Sequence, residues 1–335
     1  MECGRGYHPA MMFDLPLEQL REYRPVVAEP DDFDAFWADQ RERVGPIALD
    51  ANFARVDSVI RSARVYDVEF AGHGGTRVHG WLFVPNELDD GAPVIVEFVG
   101  YGGGRGLPTD WLTWSCAGFA HLVMDTRGQG GGWRRSDTAD LGDRGAPASR
   151  GYLTRGIASA EDHYFTRLFV DAARAVQVPA EFDGLSGRSV VTVGQSQGGG
   201  LALAAAHLAS PVLAVVPGVP FLAHIRRAVE VTDDMPYGEV AEYCRVYPER
   251  VDAVFHTLSY IDVVNHARRV QAPALFSVGL TDLITPPSTV FAAYNHFAGD
   301  KRIEVYEFNG HEGGGSLHFE RKVEFVRQVA GSAST

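Results

Sequence analysis

One serine stands in a sequence context that can make it a nucleophile. Ser196 is the centre of a Gly-x-Ser-x-Gly pattern at 194–198, which follows an apolar, β-branched run and precedes a run of small residues. Between a strand and a helix this pattern is typical of a nucleophile elbow, a strained turn that presents the serine hydroxyl at a helix N-terminus. We therefore expect Ser196 to attack a carbonyl carbon; a structural glycine turn is the alternative.

A serine nucleophile needs a base to take its proton and a carboxylate to orient that base. After a nucleophile elbow the usual chain order is serine, acid, histidine. Asp282 follows the apolar run 274–279, and His311 follows the run 303–308 in a glycine-rich loop. Both positions are carboxyl ends of predicted strands, where α/β sheets collect their active-site groups. We expect Asp282 and His311 to complete a triad with Ser196.

The competing residues have less suitable surroundings. His296 and His318 fall inside helical segments rather than at strand ends. Glu312 adjoins the predicted base and should point elsewhere, so the chain order favours Asp282 as the acid. The pair His311-Glu312 lacks the second histidine of a His-Glu-x-x-His zinc motif. The sequence therefore predicts neither a metal nor another cofactor.

Ester hydrolysis also needs hydrogen-bond donors for the oxyanion. The backbone amide after the nucleophile, here that of Gln197, is the usual first donor, and the second comes from the loop after an early strand. The glycine-rich segment 98–104 suits that loop, with Tyr101 as the donor; an ordinary glycine loop is the alternative. Pro220 and Phe221 are candidates for a small acyl pocket, on residue size alone.

The elements that must position these residues alternate between strands and helices. Apolar runs followed by glycine-rich loops and helical segments predict a mostly parallel, twisted sheet with helices on both faces, the α/β-hydrolase fold. The predicted strands of this parallel part are 94–98, 121–125, 189–193, 212–216, 274–279 and 303–308. Residues 222–265 form a mostly helical insertion, which suits either a cap over the site or a subunit contact.

The part of the chain before residue 92 has other patterns. Between 15 and 44 the apolar residues recur at helical spacing, interrupted by prolines, which predicts two short helices separated by an extended stretch. The second helix should bury Phe33, Phe36 and Trp37. Residues 56–70 and 76–85 alternate apolar and polar residues around a glycine turn, as paired antiparallel strands do. The sheet should therefore begin antiparallel.

Composition excludes several classes of protein. A formal net charge of -13 over 335 residues disfavours binding to nucleic acid or anionic lipid. No apolar run is long enough for a signal-peptide core or a membrane span. The three cysteines, Cys3, Cys116 and Cys244, lack Cys-x-x-Cys spacing, which indicates free thiols in a cytoplasmic protein. We expect a disordered leader at 1–12 and one catalytic domain at 13–330.

Three short motifs point to a known group of enzymes. They are Arg127-Gly128-Gln129-Gly130, Gly194-Gln195-Ser196-Gln197-Gly198-Gly199 and His311-Glu312. In this order they resemble the signatures of carbohydrate esterase family seven, the acetylxylan esterases and cephalosporin-C deacetylases. The resemblance extends from about residue 13 to the C-terminal helix and includes the segment from Thr257 to Gly314 almost continuously.

The resemblance implies an intracellular acetyl esterase without a cofactor, acting on short acetylated sugars and other small acetates. It implies the same triad and the same oxyanion donors that the residues predict. It also implies a homo-oligomer, a hexamer built as a trimer of dimers, in which the insertion 222–265 forms part of an interface.

Two positions depart from that family. Val99 stands where the family usually has a histidine in the oxyanion loop, and Thr285 stands where a cysteine commonly precedes two prolines. Neither departure removes a predicted catalytic group. We interpret Arg127 and Gln129 as hydrogen-bonding residues that brace the loop behind the elbow, because an arginine cannot shuttle protons at neutral pH. An acetyltransferase, a serine peptidase of the prolyl-oligopeptidase kind and a non-catalytic hydrolase scaffold remain as alternatives.

Overall fold

A computed structural model describes residues 12–141, 151–209 and 211–333; the predicted leader, apart from Met12, lies outside these residues. Within them, nine strands form a single mixed sheet. The strands are β1 (Asn52–Arg55), β2 (Ala63–Ala71), β3 (Arg77–Pro85), β4 (Val94–Phe98), β5 (Ala120–Met124), β6 (Val190–Gln195), β7 (Ala214–Gly218), β8 (Ala274–Gly279) and β9 (Lys301–Tyr306). Their order across the sheet is β1-β2-β3-β5-β4-β6-β7-β8-β9.

Helices pack along the sheet and within the insertion. They are α1 (Leu17–Glu22), α2 (Phe33–Val44), α3 (Leu112–Cys116), α4 (Tyr164–Ala175), α5 (Gln197–Leu208), α6 (Ile225–Val231), α7 (Gly238–Val246), α8 (Val251–Ser259), α9 (Val263–Ala267), α10 (Pro287–His296) and α11 (Gly315–Ala333). No helix among the described residues combines the length and the apolar character that crossing a bilayer requires.

The sheet changes direction once along its width. β1, β2 and β3 pair antiparallel, and β3 pairs antiparallel with β5. From β5 through β4 to β9 every pairing is parallel. The predicted fold class, an α/β-hydrolase sheet with an antiparallel beginning, is confirmed.

The central strands are apolar throughout because both of their faces are covered. Val94, Val96 and Phe98 of β4 join a cluster with α4 and α5, whereas Ile95 joins a second cluster with α3 and α11. Strands that are buried on both sides show continuous apolar runs instead of alternation. This explains why the sequence located the parallel strands to within two residues.

The N-terminal strands differ from the prediction in one respect. Residues 56–70 form no single strand: β2 covers only Ala63–Ala71, and the short strand β1, which was not predicted, precedes it. β1 is mostly exposed and contains an asparagine and an arginine, so it has no apolar pattern. The two N-terminal helices are confirmed, and Phe33, Phe36 and Trp37 of α2 are buried.

The strand order creates a crevice where the site would be expected. β4 lies between β5 and β6 in the sheet. The connection from β4 leads to β5 on one side, and the next connection leads from β5 to β6 on the other side, so the strand order reverses at the carboxyl end of β4. Such a switch point is where open α/β sheets bind ligands. The loops after β4 and β6 meet there, and the loops after β8 and β9 approach from one side.

Candidate active site

Ser196 occupies a strained turn between β6 and α5. Its φ of 59° lies in the left-handed region that side-chain-bearing residues rarely adopt. The turn requires glycine two residues later, because a Cβ on Gly198 would lie 2.1 Å from the carbonyl oxygen of Phe98. The backbone N–H of Ser196 donates to Gly218 O at 2.9 Å, which ties the turn to β7. These features are those of a nucleophile elbow.

Asp282 and His311 lie in the loops after β8 and β9 and contact each other. Nδ1 of His311 lies 2.9 Å from Oδ2 of Asp282, and the Asp282 carboxylate is fully buried. Since a carboxylate accepts, Nδ1 is the donor in this contact, and Nε2 is the ring nitrogen left for another partner. The side chain of Gln195, just before the nucleophile, donates to the backbone carbonyl of His311 at 2.7 Å.

Three further hydrogen bonds hold the Asp282 carboxylate. Its Oδ1 accepts from the backbone N–H groups of Ile284 and Thr285 at 2.8 and 3.0 Å, and its Oδ2 accepts from the Thr285 hydroxyl at 2.7 Å. The threonine that departs from the family pattern is therefore a direct support of the predicted acid.

Ser196 and His311 face the same cavity, which has a volume of about 510 Å³. No hydrogen bond joins the serine hydroxyl to the imidazole among the described residues. Catalytic hydrogen bonds are often long in substrate-free structures and tighten when substrate binds. The structure thus brings the three predicted triad residues together, with the acid and base in contact and the serine beside them.

One predicted oxyanion donor lies on the loop after β4, and the other is at the start of the helix that follows Ser196. Tyr101 follows β4, and Gln197 is the first residue of α5. The amide next to Tyr101, that of Gly102, donates to Oε1 of Gln129 at 2.7 Å. Among the described residues, the amides of Tyr101 and Gln197 have no acceptor in the protein. Two N–H groups are therefore available beside the serine.

Gln129 joins these two segments from behind. Its Oε1 accepts from the amide of Gly102, and its Nε2 donates to the Gln197 side chain at 2.8 Å and to the Tyr164 hydroxyl at 2.9 Å. Arg127 is 1% exposed and forms a bidentate ion pair with Asp171. Neither side chain lines the cavity. These contacts tie the segment 127–129 to Asp171, Tyr164 and Gln197; the supporting role of Arg127 and Gln129 stays a prediction.

The cavity wall differs from the expected acyl pocket. Pro220 and Phe221 do not line it, and Phe221 is fully buried, with its ring packed against Tyr101 and Tyr237. Phe221 instead contacts the elbow through its backbone N–H, which donates to Ser196 O at 2.9 Å. Residue size had suggested a pocket wall, whereas the chain direction after β7 turns the ring into the core.

Residues that the sequence analysis missed form much of the actual wall. The aromatic, apolar and charged side chains among them are Glu97, Trp111, Trp133, Arg134, Met235, Pro236 and Ile284. Trp133 is 57% exposed, and its indole N–H donates to Tyr101 O at 2.8 Å. The position of Trp133 a few residues after the Arg-Gly-Gln-Gly motif is the feature of the sequence that could have indicated it as a cavity residue.

Glu239 is a second residue that the sequence analysis missed. Although it belongs to α7 of the insertion, its carboxylate accepts from the Tyr101 hydroxyl at 2.6 Å. Burial raises the pKa of Glu239 to about 7, although hydrogen bonds from Tyr101 and from the backbone of Leu153 and Tyr152 act to lower it. Local sequence does not distinguish Glu239 from other acidic residues of the insertion.

The rejected alternatives have other roles in the structure. Nε2 of His296 lies 2.8 Å from Pro25 O, and Nδ1 of His318 lies 3.2 Å from the Tyr306 hydroxyl. Glu312 caps its own loop by accepting from the Asn309 side chain at 2.7 Å. None of the side chains of His296, His318 and Glu312 lines the cavity.

Comparisons with known proteins agree on one family. The family model described as acetyl xylan esterase matches residues 10–329. Acetyl esterase Axe7A of Xylanibacter ruminicola is 25% identical over 318 residues, which are 91% of this chain and 69% of that protein.

Two solved structures share both sequence and fold with this chain. The acetyl xylan esterase from Paenibacillus sp. R4 is 38% identical with a TM-score of 0.88, over 94% of this chain and 99% of that one. Acetyl xylan esterase 1 from Thermoanaerobacterium sp. JW/SL YS485 is 35% identical with a TM-score of 0.85, over 93% and 99% of the two chains.

Proposed function

Because the chain belongs to the acetyl xylan esterase family and is a serine esterase that acts on acetyl esters, we propose that Ser196, His311 and Asp282 are its catalytic triad. The observation that carries this proposal is the contact of His311 with the buried Asp282 at 2.9 Å, together with the cavity that His311 and the strained Ser196 both line.

The reaction proceeds in two acyl-transfer steps. His311 takes the proton of Ser196 as the hydroxyl oxygen attacks the acetyl carbonyl carbon. The tetrahedral intermediate collapses when His311 gives that proton to the leaving alcohol, which leaves an acetyl-enzyme. His311 then takes a proton from water as the water oxygen attacks the acetyl carbonyl carbon, and it gives that proton to the Ser196 oxygen as the acetyl-serine bond breaks and acetate leaves. Asp282 holds the imidazole in the required tautomer throughout and stabilises its charged form.

The amides of Tyr101 and Gln197 stabilise the oxyanion in both steps. Two fixed N–H donors aimed at the developing negative charge act strongly because they need no reorganisation during the reaction. Gln129 is a positioning residue for this pair, since its side chain contacts Gln197 and the amide of Gly102. Arg127 contributes through the loop that carries Gln129.

The substrates are acetyl esters of small molecules, such as acetylated xylo-oligosaccharides and cephalosporin C. A cavity of about 510 Å³ suits a ligand of this size rather than a polymer chain. Its wall combines indole rings with one acidic and one basic side chain, Glu97 and Arg134. Indole faces pack against sugar rings, and the charged groups provide hydrogen-bond partners for hydroxyl groups.

The test measures acetate release from p-nitrophenyl acetate, acetylated xylobiose and cephalosporin C by wild type and Ser196→Ala. We expect release from at least the first two substrates by wild type and none above background by the variant. Equal release by both proteins would refute the assignment of the nucleophile. Release from p-nitrophenyl acetate alone would refute the proposed substrate class but not the triad.

We further propose that residues 13–330 form one catalytic domain of a cytoplasmic homo-hexamer. Support for a subunit contact comes from exposed apolar side chains, among them Val246 of the insertion at 65% and Phe308 after β9 at 83%. Free thiols such as those of Cys116 and Cys244 are usual in a reducing compartment. Light scattering after size-exclusion chromatography, and fractionation of cells, test the assembly and the location; a monomer or a secreted protein would refute the respective proposal.

A further inference from the structure

Glu239 connects the helical insertion to the loop that carries the proposed oxyanion donor Tyr101. Its Oε1 accepts from the Tyr101 hydroxyl at 2.6 Å, and its Oε2 accepts from the backbone N–H of Leu153 at 2.9 Å. The Tyr101 hydroxyl in turn accepts from the backbone N–H of Tyr152 at 2.5 Å. One carboxylate thus joins three separate chain segments, at 101, 152–153 and 239.

The side chain of Tyr101 is held both at its ring and at its hydroxyl. Its ring packs edge-on against Tyr152 and Phe221, with centroid separations of 5.5 and 5.8 Å. Its hydroxyl has one acceptor, Glu239, and one donor, Tyr152. The side chain and the amide nitrogen of Tyr101 are attached to the same Cα, so contacts that fix the ring and the hydroxyl also restrain the position of the backbone at this residue.

Among the described residues, the other hydrogen bonds between residues 100–104 and the rest of the chain come from residues 129–134, and none comes from the insertion. The Tyr101 carbonyl accepts from the Trp133 indole, and the next amide donates to Gln129. Both contacts hold the loop from the side of residues 129–133, whereas Glu239 holds it from the insertion. A glycine-rich loop that is held from one side only would retain freedom about its backbone torsions.

The carboxylate itself is costly to keep in this place. Glu239 is 4% exposed, and among the described residues no cation forms an ion pair with it. The space around it is also fixed, since a Cβ on Gly151 would lie 1.9 Å from its Oε1. Perturbed ionisable groups of this kind, in contact with a cavity-lining loop, are frequent at functional sites.

We propose that Glu239 is a positioning residue for the reaction, which fixes the Tyr101 amide toward the oxyanion by holding the Tyr101 hydroxyl. This inference rests on the proposed function of Ser196 and Tyr101. It assigns to the insertion a part in transition-state stabilisation that acts through Tyr101: α7 supplies the second attachment of the oxyanion loop.

A double-mutant cycle on the active enzyme tests the inference. Glu239→Ala and Tyr101→Phe each remove one partner of the hydrogen bond, and the Tyr101 amide remains in both. Removal of a whole oxyanion donor costs about 10²- to 10³-fold in kcat, so misplacement of a retained donor should cost about tenfold, with KM changed less than about twofold. Both single changes break the same hydrogen bond, that between Tyr101 and Glu239. The kcat of the double variant should therefore also fall about tenfold, and not by the roughly hundredfold that two independent losses would give.

A transition-state mimic provides a readout that a purely structural role would not move. A trifluoromethyl ketone forms a tetrahedral adduct on a serine nucleophile and places an oxyanion in the donor pair. Its affinity should fall by about the same factor as kcat in each variant, whereas the affinity for substrate should not. Glu239→Gln keeps the shape and one acceptor, so it should recover part of the loss. Glu249→Gln, an exposed change in the same insertion, should behave as wild type.

Three results would overturn the proposal: wild-type kcat in folded Glu239→Ala, losses that multiply in the double variant, or a change in KM alone. If Glu239→Ala does not fold, the pair Glu239→Gln and Tyr101→Phe carries the same cycle. Absence of Ser196-dependent hydrolysis in wild type would instead refute the proposed function, so the two failures are distinguishable.

Discussion

Replacement of Thr285 with valine tests how the acid of the proposed triad is held. Valine has almost the same shape as threonine, so the change removes the hydroxyl that donates to Oδ2 of Asp282 at 2.7 Å and leaves the packing nearly intact. The carboxylate keeps three hydrogen bonds, two from the backbone of Ile284 and Thr285 and one from His311.

The expected magnitude follows from the burial of the carboxylate. A hydrogen bond to a charged group contributes about 1.5–3 kcal/mol, and Asp282 is 1% exposed, so water cannot replace the lost donor. We expect Thr285→Val to lower the free energy of unfolding by about 2 kcal/mol. Over 335 residues, at about 2.1 cal/mol/K of unfolding entropy per residue, this corresponds to a fall in Tm of about 3 °C.

The effect on catalysis should be smaller than the loss of the acid itself. The amides of Ile284 and Thr285 still orient the carboxylate, so kcat should fall by less than about tenfold in Thr285→Val. Asp282→Asn changes the tautomer of the imidazole and should cost about 10⁴-fold. The contrast between the two variants separates orientation of the acid from its charge.

Urea denaturation followed by tryptophan fluorescence, together with acetate release from p-nitrophenyl acetate, measures both effects. Thr285→Ser keeps the hydroxyl and serves as the matched control: it loses one buried methyl group, at a cost of about 1 kcal/mol, and should keep kcat close to wild type. An unfolding free energy of Thr285→Val within about 0.5 kcal/mol of wild type, the range of neutral surface changes, would refute the argument. A loss of kcat as large as that of Asp282→Asn would refute it as well.

Three further variants test other contacts. Burial raises the pKa of Glu239 from 4.5 to about 7, so the stability that its neutral form contributes is complete below about pH 4 and is lost, by about 3 kcal/mol, as the pH rises through 7. The free energy of unfolding from urea titrations should therefore fall more steeply between pH 5 and 8 for wild type than for Glu239→Gln. Equal slopes for the two proteins would contradict this. Arg127→Leu leaves Asp171 buried without its partner and should destabilise by about 3–5 kcal/mol in the same assay, with partial recovery when Asp171→Leu is added; no recovery would argue against the unpaired charge as the cause. Gly198→Ala places a Cβ 2.1 Å from a backbone oxygen of β4 and should abolish esterase activity, whereas Gly131→Ala, which meets nothing within 4 Å, should retain it; an active Gly198→Ala enzyme would contradict the elbow geometry.

The sequence predicted the fold and the three proposed triad residues because these depend on short-range patterns. Apolar runs mark strands that are buried on both faces, and parallel strands place their carboxyl ends at one edge of the sheet. Ser196, Asp282 and His311 each follow such a run, so their convergence could be expected before any contact was known. The strand β1 escaped prediction because it is short and mostly exposed.

The wall of the cavity could not be predicted in the same way. Pro220 and Phe221 follow a predicted strand, but the turn after β7 directs Phe221 into the core. Trp133 and Met235 reach the cavity from a loop and from the insertion. Which side of an irregular segment faces a cavity depends on torsions and neighbours that no periodicity records.

The sequence by itself determined the succession of strands and helices along the chain from β2 onward and the residues that follow each strand, since both depend on local spacing and burial. Only the tertiary structure decided the contacts that adjust the site: Glu239 with Tyr101, 138 residues apart, and Gln129 with Gln197, 68 residues apart. Each of these pairs joins a loop residue to a helix residue, and the separation of loop and helix is set by packing of the sheet, the helices and the insertion. A single polar residue in a loop carries no mark of its partner until that packing brings the two within hydrogen-bond distance.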